Sequence, residues 1–164
     1  GSRYVGAVVS SGYDARVNRA TNDIRLRFGP LSYGYIALRE LAHFSSLTYR
    51  LVIDGVPREV EAMMLAVCNT GAYGRGMQIL PEADAADGLL DVTIIHKASR
   101  GKLLRLLPLT YNGSFVNSPV VERLRARTVE VDGADLFLMG DGEEMGEVPA
   151  TVSCRPGVLR LIVG

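Results

Sequence analysis

Two groups of carboxylates have the residue types and spacing of a chemical site. The run NTGAYGRGMQILPEADAADGLLD, from Asn69 to Asp91, opens with a glycine-rich loop and then places Glu82, Asp84, Asp87 and Asp91 close together. Glycines let backbone N–H groups approach a ligand. Carboxylates and turn carbonyls are the donors that a hard cation such as Mg2+ or Ca2+ takes. Asp84, Asp87 and the carbonyl of Leu89 are near enough in sequence to fold round one such ion, and oxygen donors of this kind exclude zinc. The second group is Asp141-Gly142-Glu143-Glu144. Asp-Gly between strands is a turn signal, and a carboxylate at a strand tip can take the proton of a hydroxyl nucleophile. Glu143, two residues on, would share the side of Asp141 in an extended chain. No Ser, Cys or Thr nucleophile is placed beside a His, and neither GxxxxGK[ST] nor GxGxxG occurs.

Strand-like runs flank both groups. Arg3–Ser10 is apolar, and Ser11-Gly12 is expected to turn the chain. Asp14–Arg27 and Leu31–Phe44 have helical spacing, the second with Tyr35, Leu38, Leu41 and Ala42 on one face and with His43 as a surface residue at its end. Thr48–Asp54 and Arg58–Asn69 read as a hairpin about Asp54-Gly55. The second strand turns apolar on both faces toward Asn69. Leu89–His96 is another strand, with His96 at its end and no catalytic partner in sight. Ser99–Leu107 is a short helix capped by Ser99, and Pro108–Pro119 is irregular with a turn at Asn112-Gly113. Val120–Val131 alternates with a phase slip near Thr128-Val129, expected to be a bulge. Arg123, Arg125 and Arg127 share one face of it, read as solvated. Leu136–Gly140, Val148–Cys154 and Val158–Val163 complete the strands.

The chain has 164 residues and 48% hydrophobic content, enough for a single domain with one core. Eighteen basic and eighteen acidic residues balance, so nothing draws it to nucleic acid as a whole. No apolar run reaches the ~18 residues that span a bilayer. Cys68 and Cys154 form no motif and read as buried thiols of a reducing compartment, hence cytosol. Gly1-Ser2 without an initiator Met reads as the start of an excised piece.

Four stretches in order carry a resemblance. They are SGYDAR at Ser11–Arg16, Asn69 with GAYGRGM and ILPEADAADGLLDV, GDGEEMGEVPATVSC, and the closing RPGVLRLIV. Together they resemble the bacterial diacylglycerol kinase and lipid kinase family, related to sphingosine and ceramide kinases and more distantly to NAD kinases. The resemblance implies an α+β, mostly β, sandwich-like C-terminal domain with a few helices, spanning residues 1–164. It also implies that the N-terminal domain, which carries the GGDGT phosphate motif, is absent from this chain. Carried over, the side chain of Asp87 with the backbone of Asp84 and Leu89 holds a structural Mg2+. Asp141 is the general base, with Glu143 as contributor or substitute. Asn69, Gly71, Gly74 and Gly76 line the nucleotide cleft, although the family's consecutive glycines are here broken up. The implied activity is ATP-dependent phosphorylation of a lipid hydroxyl by a cytoplasmic protein peripheral to the membrane. The implied partners are ATP and a lipid at the membrane surface, with a possible homodimer and no nucleic acid. Leu103–Leu107 and Tyr111–Val116 are the candidate lipid groove. The isolated piece is expected to be inactive, Asp141→Asn to leave folding intact, and Asp87→Ala to cost more stability. The alternatives are a non-catalytic lipid-binding module and a kinase of the same superfamily for a soluble substrate.

Overall fold

The computed structural model describes residues 2–23, 30–73, 77–80 and 82–158. Gly74, Gly76, residues 24–27 of the first expected helix and all but Val158 of the expected last strand lie outside the described residues. Strand β1 (Val8–Gly12) runs straight into helix α1 (Tyr13–Asp23), and α2 (Pro30–His43) follows. Ser11-Gly12 is thus not a turn but the end of the strand. Gly12 has φ 83°, and a Cβ there would lie 2.4 Å from the Tyr49 hydroxyl and 2.5 Å from the Met63 carbonyl oxygen. Only glycine fits.

The hairpin of β2 (Leu47–Ile53) and β3 (Val56–Cys68) turns on Asp54 and Gly55, at φ 47° and 84°. Two positive φ values are what a two-residue type I′ connection demands. A small ribbon, β4 (Ala72–Tyr73) and β5 (Met77–Gln78), precedes β6 (Leu90–His96). Helix α3 (Arg100–Leu106) is capped by the Ser99 hydroxyl, which accepts the Lys102 N–H. Two 3₁₀ turns (Leu107–Thr110 and Ser114–Asn117) lead to β7 (Val121–Ala126), β8 (Thr128–Asp132), β9 (Phe137–Gly140), β10 (Glu143–Glu147) and β11 (Ala150–Ser153).

The main sheet runs β10-β9-β1-β3-β2-β8-β11, with β6 also on β3 and β7 on β6, and every pairing is antiparallel. Strand β3 is the spine. Its first half pairs with β2, and its second half lies between β1 and β6. Leu65 and Val67 point into the core shared with Val9, Leu51, Val92 and Val131. Met64, Ala66 and Cys68 point to the other face, under Leu41, Phe44, Leu103 and Phe115 of the helical layer. Burial on both faces is why this half of the strand loses its alternation.

Three readings change. Helix α2 buries Ile36, Ala37 and Leu41, while Tyr35 and Leu38 face out, so its apolar stripe is rotated from the expected face. The expected bulge near Thr128 is a corner: the chain leaves β6 after Ala126 and joins β2 from Thr128. Arg127 sits at the corner, its N–H donated to Asp54 Oδ1. Strand β10 has no apolar signal in its sequence EEMGE. No strand was expected there; it is an edge strand, charged and bulged near Gly146, features that discourage edge-to-edge pairing.

At the far end of β6, Glu122 accepts hydrogen bonds from both terminal nitrogens of Arg58 at 2.9 Å, and His96 Nε2 lies 2.8 Å from it. His96 therefore does have a carboxylate partner, contrary to the sequence reading, through a residue 26 positions away. Hydrogen bonding from Arg58 holds the Glu122 carboxyl below its ordinary range, helped by His96 and opposed by burial. A depressed folded pKa gives stability that is full above the unfolded pKa and lost as pH falls through the folded one. Glu122→Gln is accordingly expected to lower the melting temperature at neutral pH, with the gap from the parent closing below about pH 4. Thermal melts across pH check this, and a gap independent of pH would refute it.

Candidate functional site

One end of the sheet collects the carboxylates. Register places Val8 beside Cys68, Cys68 beside Asp91, and Val9 beside Gly140. The start of β1, the end of β3, the start of β6 and the β9–β10 turn therefore form one row. That turn is Asp141-Gly142, at φ 48° and 87°, the same positive-φ pair as Asp54-Gly55 and again the geometry of a tight hairpin.

Asp141 turns back onto the chain rather than outward. Its Oδ2 accepts the Gly6 N–H at 2.7 Å, and its Oδ1 accepts those of Ala7 at 3.0 Å and Val8 at 2.9 Å. Its own N–H donates to the Val8 carbonyl. Asn69 grips the same segment: its N–H donates to the Ala7 carbonyl at 2.8 Å and its side-chain amide to the Gly6 carbonyl at 3.3 Å. Both residues fasten the strand by which β1 enters the sheet. The expectation that Asp141→Asn is a milder change than Asp87→Ala took no account of these three N–H bonds.

Glu143 differs. It is exposed on the first residue of β10, and among the described residues no hydrogen bond or ion pair engages its carboxylate. The turn that carries it is held from outside by α1. Asn22 donates to the Gly142 carbonyl at 2.8 Å, and Arg19 reaches both Glu144 oxygens at 2.8 and 3.0 Å while its guanidinium lies over the Phe137 ring.

The loop before β6 is tied by its own aspartates. Asp84 Oδ1 accepts the Ala86 N–H at 2.9 Å, and Asp87 Oδ1 accepts the Leu89 N–H at 2.8 Å. Arg125 pairs with Asp87 and stands 3.4 Å from Asp91, and Arg123 approaches Glu82 at 3.5 Å. Arg123 and Arg125, read as solvated, are therefore counter-charge for the acidic loop. Sequence gave no signal for this, since the partners lie about forty positions apart. Burial raises the Asp91 carboxyl against the lowering effect of Arg123. Burial, with Asp91 and Asp14 nearby, pushes the Cys68 thiol up to about 12. Cys68 is buried and Cys154 half-buried, and both are free.

No three Asp, Glu, His or Cys side chains converge as a metal cluster among the described residues. The Asp87 carboxylate with the carbonyls of Asp84 and Leu89 is nonetheless a set of hard oxygen donors, chemically suited to an Mg2+ that keeps several waters. A cation there would compete with Arg125 for Asp87. The Gly71 carbonyl accepts the Leu80 N–H at 3.0 Å, which brings Leu80 beside Gly71.

Beneath α1, α2 and α3 lies a cavity of about 350 Å3 whose walls include Val17, Leu41, Met63, Leu103 and Phe115. Asp14, buried and bonded to Ser10 Oγ at 2.6 Å, is the one charged residue among its described walls. Helix α1 joins cavity and turn: Tyr13, Asp14 and Val17 line the first, while Arg19 and Asn22 hold the second. Eleven residues of helix span about 16 Å. Among the described residues no helix is long and apolar enough to cross a membrane.

The chain is 37% identical over 161 residues to a diacylglycerol kinase of Mycobacterium tuberculosis, covering 98% of this chain and 52% of that protein. It is 23% identical over 151 residues to a diacylglycerol kinase of Staphylococcus carnosus, covering 91% and 49%. The chain thus spans about half the length of these relatives. A solved structure of a candidate diacylglycerol kinase from Bacillus anthracis str. Sterne superposes with TM-score 0.63 at 15% identity, over 94% of this chain and 55% of that one. A second from the same strain gives 0.61 at 16% identity, over 92% and 48%. These two likenesses establish the fold, a mostly β sandwich-like domain with a few helices. Residues 7–163 match the YegS C-terminal NAD kinase beta sandwich-like domain, and with the sheet, the helical layer and the diacylglycerol kinase relatives in agreement, the chain belongs to that family.

Proposed function

We propose that this chain is the substrate-side domain of an ATP- and Mg2+-dependent lipid kinase that phosphorylates the hydroxyl of diacylglycerol or a related lipid. The carrying observation is that helix α1 links an apolar cavity to the turn whose Glu143 carboxylate has no partner among the described residues. The cavity has the chemistry to take acyl chain, and its walls include Leu103, Leu104, Leu106, Leu107, Tyr111 and Phe115, from the segments expected to form the groove. ATP is held mainly by a companion domain, with Asn69 and Gly71 at the cleft edge.

Glu143 is assigned as general base and Asp141 as the residue that positions its turn. A lipid alcohol is ionised only as the bond to phosphorus forms, so a nearby carboxylate that accepts the proton at that moment is what the step requires. The Glu143 carboxylate takes that proton as the oxygen bonds to the γ-phosphorus and ADP departs. With Asp141 engaged by three N–H groups, Glu143 is the better acceptor. When bound at Asp87, Mg2+ supplies a fixed charge that shapes the loop, and the chain's own Arg125 holds that loop otherwise.

The test is to incubate the full-length protein carrying this chain with labelled ATP and a panel of diacylglycerol, a sphingoid base and a glycolipid-type alcohol. Phosphate on at least one lipid is expected, and phosphate on none would refute the reading. The metal assignment has its own check. Mg2+ is expected to raise the melting temperature of the parent and not of Asp87→Ala, which should itself lose about 1 kcal/mol through its ion pair and turn bond. An equal response of both proteins to Mg2+ would count against it.

A further inference from the structure

The exposed apolar side chains are unevenly placed. Among the described residues, Tyr35 and Leu38 of α2, Leu104 of α3, and Leu109 and Tyr111 just after it are five of the eight large hydrophobic residues left exposed. Helices α2 and α3 pack on each other, and Tyr35 and Leu109 directly follow Gly34 and Pro108, which line the apolar cavity. Leu38, Leu104 and Tyr111 themselves line that cavity while being exposed, so these three stand at its mouth.

The charge of this face is equally uneven. The chain as a whole is neutral, yet Lys97 to Val121 contains Lys97, Arg100, Lys102 and Arg105 and no Asp or Glu. Lys97 is paired with Glu61. The side chains of Arg100, Lys102 and Arg105 have no ion pair among the described residues. Unpaired cations flanking exposed Leu and Tyr on a helical surface match the interface of a bilayer, where apolar groups sink to the acyl boundary and cations meet anionic headgroups.

We propose that the face formed by α2, α3 and the following 3₁₀ turns seats on an anionic lipid bilayer, so that the cavity opens directly onto the leaflet. The inference rests on the lipid kinase reading for what enters the cavity, but the docking itself does not require it. Arg100, Lys102 and Arg105 supply charge attraction, and Tyr35 and Leu109 insert beside the cavity mouth without lining it.

The experiment uses the full-length protein with vesicles of phosphatidylcholine alone or mixed with phosphatidylglycerol, read by co-sedimentation. Binding is expected to the mixed vesicles and to weaken with salt. Each cation replaced should cost roughly fivefold in affinity, so a variant with Arg100→Ser, Lys102→Ser and Arg105→Ser should lose about two orders of magnitude. Tyr35→Ser with Leu109→Ser should also weaken binding. Both variants should phosphorylate a short-chain diacylglycerol dissolved in buffer at the parent rate, while losing turnover on the same lipid class held in vesicles. Equal binding to both vesicle types, or unchanged binding by the variants, overturns the proposal. A change from dimer to monomer with vesicle binding intact also overturns it, since the face would then join two copies of the chain. Vesicle binding that needs this face, in a protein that phosphorylates no lipid, supports the docking and refutes the kinase reading.

Discussion

Glu143→Gln in the full-length protein is expected to lower turnover by about 10²–10⁴-fold, the range that a positioned proton acceptor contributes. Folding should be unaffected. The carboxylate is exposed and engages no partner among the described residues, so an isosteric amide breaks no bond, and surface changes of this kind fall within about 0.5 kcal/mol. The loss should appear in kcat with KM for the lipid little changed, because the cavity walls are untouched. A variant that keeps the parent's kcat in a lipid phosphorylation assay would remove Glu143 from the chemistry.

Asp141→Asn is expected to do the opposite, damaging stability first. The carboxylate accepts N–H groups from Gly6, Ala7 and Val8. The amide replaces one acceptor oxygen with an NH2 facing those same donors. Hydrogen bonds to a charged group contribute about 1.5–3 kcal/mol each, and solvent recovers part of that at this exposed position. A net loss of about 2–3 kcal/mol corresponds to a melting point lower by about 4–12 °C for a domain of this size. Activity should fall with it, because the turn that carries Glu143 is anchored there. Calorimetry on both variants separates the roles, and an Asp141→Asn protein that melts with the parent while losing turnover would return the base to Asp141.

Much of the fold was legible because the relevant physics is local. The Asp54-Gly55 hairpin, the Ser99 cap and the doubly buried half of β3 each depend on residues within a few positions of one another, and each was read correctly. The misreadings have a common cause. The corner at Arg127 imitates a bulge, since both break alternation and only the pairing partners differ. Strand β10 exists because β9 offers it hydrogen-bonding groups, not because EEMGE favours a strand. The face of α2 is set by what lies beneath it, and the helical spacing alone admitted a stripe one position away.

By itself, then, the sequence determined which carboxylates were candidates, the mostly β class of the domain, and the family, because motif order and local turn chemistry are written in consecutive residues. It offered Asp87, Asp141, Glu143 and Asn69 as candidates and put Asp141 ahead of Glu143 as the base. Only the tertiary structure separated Asp141 from Glu143, by bringing the N–H groups of residues 6–8 to a carboxylate more than 130 positions away. The structure likewise gave Asp87 an arginine 38 positions on, and assembled an apolar cavity from three helices and the sheet. A carboxylate is a base or a fastening according to which donors reach it, and those donors are set by strand pairing across the whole chain.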